Sequence, residues 1–159
     1  MINIDNVSYS YSKGGGVSNI NLNIGDGEFV FMIGPTGSGK TTILRLIYMD
    51  LFPKAGTISI DKYNSQTIKR RKIPYLRRKI GVIFQNYHLL EDRNLFENIA
   101  LPLHVLGYDK DEIIDLVNES IDEIGLNGKE SHYPYELSGG EQQRACVARA
   151  LIKDPDIIL

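Results

Sequence analysis

The octapeptide Gly34-Pro35-Thr36-Gly37-Ser38-Gly39-Lys40-Thr41 lies between an apolar run, EFVFMI (28–33), and a helix-forming stretch, TTILRLIYMD (41–50). It fits G-x-x-x-x-G-K-[ST], a pattern that average residue usage would produce in roughly half a percent of chains this long. Its setting narrows the choice further, because the pattern requires a strand before it and a helix after it. The near-continuous apolar run predicts a central strand buried on both faces. Glycines let successive backbone N–H groups turn inward around phosphate oxygens, with no Cβ in the way. The following helix start adds free N–H donors and a favourable dipole. Lys40 is suited to the β- and γ-phosphates, and the Thr41 hydroxyl is a hard oxygen ligand for Mg²⁺. A chain organised around this loop is expected to bind a nucleotide.

Composition excludes several alternatives. The 159 residues are 42% apolar and 24% charged, ordinary for one globular domain with a real core. A net charge of −2 supplies no global basic field to draw the chain to nucleic acid or anionic lipid. The longest apolar runs are far too short to span a bilayer. The start, MINIDNV, lacks the basic region and apolar core of a signal peptide, so a cytosolic setting is expected. The single cysteine, Cys146, rules out an internal disulfide framework and suits inert core packing. His88, His104 and His132 show no metal-ligand spacing with one another or with Cys146. The clusters Lys69-Arg70-Arg71-Lys72 and Arg77-Arg78-Lys79 lack interleaved aromatics in sequence, and a solvated, membrane-facing surface is expected of them rather than nucleic-acid binding.

No repeat, low-complexity tract or linker divides the chain, and residues 1–159 are expected to form a single domain. INIDNVSYSY (2–11) and VSNINLNI (17–24) alternate apolar and polar residues around SKGGG (12–16), predicting an antiparallel pair. TISI (57–60) and IGVIF (80–84) predict further strands, and DPDIIL (154–159) leads into another. From about 86 to 136 the texture is helical. Asp109 with Glu112 makes an acidic capping box, and Tyr108 with Ile113 is placed as its staple. Ile113, Val117, Ile121 and Ile124 mark one face, and Gly125 is placed to end the helix. The expected fold is α/β: a phosphate-loop core with an antiparallel β subdomain and a helical insertion.

A third helix begins at ELSGGEQ (136–142) and is expected to run to about Lys153. Ser138 with Glu141 is a capping box. Gly139 and Gly140 nevertheless fill the first turn, where each costs up to about 1 kcal/mol relative to alanine. A cap alone does not account for two of them.

These residues together resemble the ABC-type ATPases. LSGGEQQR (137–144) looks like that family's signature motif, Gln85 matches its Q-loop, and Tyr11 occupies the position of its adenine-stacking aromatic, with Tyr9 the competing candidate. DPDIIL matches the approach to the Walker B strand. The resemblance covers the whole chain, in the family's motif order. The segment IPYLRRKIGVIFQNYHLLEDRNLFENIALPL (73–103) is most similar to the cell-division, FtsE-type branch, and lipoprotein-release and macrolide-export ATPases share much of it. The resemblance implies an ATP-binding and ATP-hydrolysing subunit with Mg²⁺ as cofactor. It implies a head-to-tail homodimer that sandwiches ATP, held on the inner face of the bacterial membrane by an FtsX-like membrane protein. Gly34, Pro35, Thr36, Gly37, Ser38, Gly39, Lys40, Thr41 and Thr42 would hold the nucleotide, with Tyr11 on the adenine. Thr41 and Gln85 would serve the metal, and Lys40 and Gln85 the chemistry. Ser138, Gly139, Gly140 and Glu141 would approach the γ-phosphate from the second subunit. The partner would dock in a groove near Tyr87, Leu89, Leu90 and Phe96. DNA-maintenance members carry long coiled-coil insertions between the two motifs, and none is present here, so no nucleic-acid partner is expected.

In that family the metal-shell and water-orienting carboxylates directly follow the Walker B run. The present sequence ends at Leu159, one or two residues before their expected place. The expectation is therefore an incomplete cassette that binds nucleotide, hydrolyses it poorly, and exposes apolar surface where sheet neighbours are missing.

Overall fold

The alternation in INIDNVSYS produces a strand with one buried face: β1 (Ile2–Ser10) buries Ile2, Ile4 and Val7 and turns Asn3 and Asp5 to solvent. This computed structural model describes Met1–Leu159 as two units, Met1–Arg77 and Arg78–Leu159. In the first, β1 pairs antiparallel with β2 (Gly16–Ile24) on one edge and with β3 (Ala55–Ile60) on the other. The short β4 (Tyr63–Asn64) closes the outer edge of β3, giving the order β2-β1-β3-β4. Register sets Ile4 opposite Ile58 and Ile2 opposite Ile60, so four buried isoleucines meet on one face. Helix α1 (Lys40–Ile47) lies against β2 and β3 and buries Leu46 and Ile47. The pairing of 2–11 with 17–24 is as expected from alternation, while α1 stops three residues before the expected end at Asp50.

The expected central strand over 28–33 is not formed. None of the six strands hydrogen-bonds to it, and Phe29, Phe31 and Ile33 are 84%, 78% and 91% exposed. The two phenyl rings meet edge to face at 4.9 Å. An apolar run becomes a buried strand only when ladders form along both edges, and here neither edge is paired. The apolar exposure anticipated from the sequence falls on this segment.

In the second unit, β5 (Ile80–Gly81) runs parallel to β6 (Ile157–Ile158). The Ile83 amide donates to the Leu159 carbonyl at 2.8 Å, extending the pairing towards the expected 80–84 strand. Short helix α2 (Ile73–Arg78), which closes the first unit, precedes β5, and three longer helices follow: α3 (Leu95–Leu106), α4 (Lys110–Glu123) and α5 (Gly139–Leu151). Leu95, Ile99, Leu103, Ile113, Val117, Ile121 and Ala145 bury one face of each longer helix in a common core. The α4 box forms as expected, with the Asp109 amide on Glu112 Oε2 at 3.3 Å. Gly125 adopts φ 64° and returns its N–H to Asp122, closing that helix. Cys146 is buried, as its apolar surroundings predict.

One polar residue sits inside this core. Asn98 is 1% exposed. Its Oδ1 accepts the Leu90 amide at 2.7 Å, and its Nδ2 donates to the carbonyls of Leu90, Arg93 and Asn94. The side chain thus satisfies the irregular backbone that leads into α3. Asn98→Ala removes the partner of the Leu90 amide and of the Arg93 carbonyl, while the Leu90 and Asn94 carbonyls keep the Arg93 and Asn98 amides, and it should destabilise the protein by about 1–3 kcal/mol, read as a shift in denaturation midpoint.

Candidate nucleotide site

The phosphate loop is shaped by two left-handed glycines, Gly37 at φ 84° and Gly39 at φ 95°. Gly39 is also the N-cap of α1 and has no side-chain cap. A Cβ there would lie 2.4 Å from Val17 Cγ1 and 3.3 Å from the Gly16 carbonyl oxygen. Only glycine satisfies both the backbone angle and the approach to β2. Within the loop the Ser38 amide bonds the Pro35 carbonyl at 3.2 Å. The Lys40 ammonium folds over the loop, donating to the Gly34 carbonyl at 2.6 Å and the Pro35 carbonyl at 2.9 Å. The first N–H groups of α1 lack acceptors one turn earlier, as at any helix start. A cationic hook, a glycine cradle and a helix N-terminus therefore converge, and this donor set fits a polyphosphate. The Thr41 side chain is exposed.

Thr42 faces inward, and its hydroxyl lies 3.2 Å from Tyr11 Oη. Arg45 Nη1 donates to the same phenol at 3.5 Å. Tyr11 is thereby brought beside the loop helix. Tyr9 meets the Tyr11 ring edge-on at 5.0 Å and carries Lys54 over its own face. Tyr11 reaches α1 through its hydroxyl, and Tyr9 stays with β1.

In the second unit, Gln85 follows β5 and is exposed. The signature segment forms the start of α5, with Ser138 as N-cap. The Ser138 amide donates to Glu141 Oε2 at 2.8 Å, the Ser138 hydroxyl to the same oxygen at 2.9 Å, and the Glu141 amide to Ser138 Oγ at 3.4 Å. Lys129 closes an ion pair on Glu141 Oε1. That lysine and the two Ser138 donors hold the Glu141 carboxyl at a pKa of about 2. Gly139 and Gly140 have no positive φ. A Cβ at Gly139 would meet only Tyr87 Oη, at 3.7 Å, and one at Gly140 would meet nothing within 4 Å. Nothing within the chain requires either glycine.

Two features of this unit were not visible in the sequence. Lys129 gave no signal, because its partner is brought near by folding. Arg149 donates to the Tyr87 and His88 carbonyls, each at 2.8 Å, and so ties α5 to the segment after Gln85. Of the expected groove, Leu90 is exposed, whereas Leu89 and Phe96 pack against the helical core.

A glycine-cradled lysine at the start of one helix and a capped, glycine-paired start to another define a phosphate-loop nucleotide-binding protein of the cassette type. The ABC transporter family profile matches residues 17–159. The chain is 40% identical to the cell division ATP-binding protein FtsE of Mycobacterium tuberculosis over 161 residues, covering 100% of this chain and 70% of that protein. It is 42% identical to the methionine import ATP-binding protein MetN 2 of Bacillus cereus over 163 residues, covering 100% of this chain and 48% of that protein. Among solved structures, the ATP-binding cassette MJ0796, a dimer in a post-hydrolysis state bound to ADP and Pi, superposes with a TM-score of 0.90. It is 36% identical, over 99% of this chain and 72% of that one. The chain belongs to the ABC transporter ATPase family.

Two outcomes follow for the site. Gly39→Ala should cost about 2 kcal/mol or more through backbone strain alone. Pairing it with Val17→Ala should recover only part, since removing the clash leaves the left-handed φ, and thermal denaturation of the three variants measures both effects. Glu141 supplies the pH dependence. Its folded pKa of about 2 lies below the ordinary 4.5, so its stabilisation is complete above about pH 4.5 and lost as pH falls towards 2. Glu141→Gln should remove that component of acid unfolding, seen as a shallower loss of stability across this window.

Proposed function

We propose that the chain is the ATP-binding and ATP-hydrolysing part of a membrane complex of the FtsE–FtsX kind, acting in cell division. In this reading two copies pair head to tail, each offering its phosphate loop to one face of ATP and its α5 start to the other. Gly34, Pro35, Thr36, Gly37, Ser38, Gly39, Lys40, Thr41 and Thr42 cradle the phosphates, and Tyr11 stacks on adenine. Thr41 and Gln85 hold Mg²⁺, which when bound neutralises charge on the β- and γ-phosphates. Ser138, Gly139, Gly140 and Glu141 meet the γ-phosphate of the partner's nucleotide. The complex sits on the inner face of the membrane. Its membrane subunit docks near Tyr87, Leu89, Leu90 and Phe96, with Leu90 the exposed apolar contact.

One observation carries the reading: Gly139 and Gly140 occupy a helix turn in which alanine would fit and would stabilise. Their bare N–H groups gain purpose only when a phosphate approaches from outside the chain. The similarity to FtsE proteins from three organisms supports the cell-division assignment. The MetN match, at 42% identity, favours a second reading, the ATPase of a small-molecule importer. Identifying the membrane subunit that co-purifies with the protein distinguishes the two.

The decisive variant is Gly139→Ala with Gly140→Ala in the full-length protein. Thermal stability should hold or rise, by up to about 1 kcal/mol per site. ATP-driven self-association, measured by sedimentation, should be lost, as it should in Lys40→Ala. Association that survives in the double alanine variant would reduce the glycines to helix-start residues and remove the argument for a shared site.

A further inference from the structure

Between Asp61 and Glu91 the chain has eight basic residues and no carboxylate. Three of those cations, Lys62, Lys69 and Lys72, line one open cleft of about 400 Å³ in the first unit, together with Tyr63, Tyr75 and Thr67. This combination is not legible in the sequence, because the basic run 69–72 has no aromatic within it. Folding supplies the rings. β4 brings Tyr63 to one wall, where the Lys62 ammonium lies 5.8 Å from its ring centre. The first turn of α2 brings Tyr75 to another, where the Lys72 ammonium lies 4.9 Å from its ring centre. Asp61, the nearest acid in sequence, is engaged by the Met1 ammonium at 3.2 Å. None of the three lysines forms an ion pair with a carboxylate.

We propose that this cleft is a second anion site, separate from the phosphate loop, which takes a phosphate ester: Lys62, Lys69 and Lys72 bind the phosphate, and Tyr63 and Tyr75 flank the group that carries it. Three like charges on one concave surface repel one another, and a doubly charged phosphate relieves that repulsion as no single side chain of the chain does. The lysines act as mobile point donors, which suits a phosphate of variable orientation rather than one fixed bidentate geometry. The tyrosine faces hold the ammonium groups at the cleft and offer apolar area beside it. The same chemistry is presented by a soluble phosphate ester and by a phospholipid headgroup. The proposal does not depend on the ATPase assignment, since no phosphate-loop residue takes part.

The test uses the whole chain with site-resolved detection, because the phosphate loop also binds phosphate. Backbone amide shifts at 62–75 are followed by NMR while glycerol phosphate is titrated, with shifts at 34–42 reporting the loop separately. In parallel, co-sedimentation is measured with phosphatidylglycerol vesicles and with phosphatidylcholine vesicles. Lys62→Gln/Lys69→Gln/Lys72→Gln should weaken the response by about tenfold or more in whichever arm binds. Arg70→Gln/Arg71→Gln alters neighbouring cations outside the cleft lining and should change it by less than about threefold. Shifts at 62–75 with glycerol phosphate establish the soluble ester as sufficient. Binding to phosphatidylglycerol vesicles alone, sensitive to the lysine variant, assigns the headgroup. Absence of both responses overturns the proposal, and so does equal weakening in the two variants, which reduces the cleft to part of a diffuse basic surface.

Discussion

The first unit depends on one close approach, that of Gly39 to the start of β2. The chain must turn left-handed at Gly39 to send α1 away from the loop, and it does so with Val17 where a Cβ would be. The contact sets three things at once: the direction of α1, the position of its first N–H groups, and the seat of Lys40 over the Gly34 and Pro35 carbonyls. It also explains how the β subdomain and the loop are joined. The β1–β2 hairpin provides Val17 below the loop and Tyr11 beside Thr42. A loop of small residues gains little from burial, so its shape is held by the strands it touches.

The start of α5 is stabilised in a different way. Its capping box, the Lys129 ion pair and the depressed Glu141 titration fix the turn through charge and hydrogen bonds at its rim. That arrangement offsets the propensity cost of two glycines and leaves their backbone uncovered except for the Tyr87 phenol near Gly139. Stability is thus supplied beside the exposed turn, and the turn itself stays open. This is the arrangement a binding surface needs, since a side chain placed there for stability would occupy the space of a ligand.

Local pattern and motif made most of the elements legible. The alternation of β1 and β2, the phosphate loop, the α4 capping box with its Gly125 stop, and the Ser138–Glu141 box all depend on residues within a few positions of one another. What sequence missed depends on pairing across distance. The run 28–33 has the composition of a buried strand, yet ladders decide burial, and none forms along its edges. Lys129 reaches Glu141 across the bend before α5, and Tyr63 meets the basic run only because β4 folds back on β3. A period-two pattern sets Tyr9 and Tyr11 on one face, and motif order alone favours Tyr11.

The segment after Gln85 shows how a local constraint extends through the second unit. Tyr87 and His88 both adopt positive φ, at 57° and 49°, which is costly for side chains of this size. Their carbonyls are held by Arg149, near the C-terminal end of α5, while the Tyr87 hydroxyl lies near Gly139 at its first turn. The strained pair therefore touches α5 at both ends, and Asn98 anchors the chain two residues further on through Leu90. Strain held by contacts to a single helix is released or kept as a unit. Arg149 donates two charge-assisted hydrogen bonds to this segment, which tie it to α5. Tyr87, two residues after the exposed Gln85, thus contacts α5 both through Arg149 and beside the exposed glycine turn.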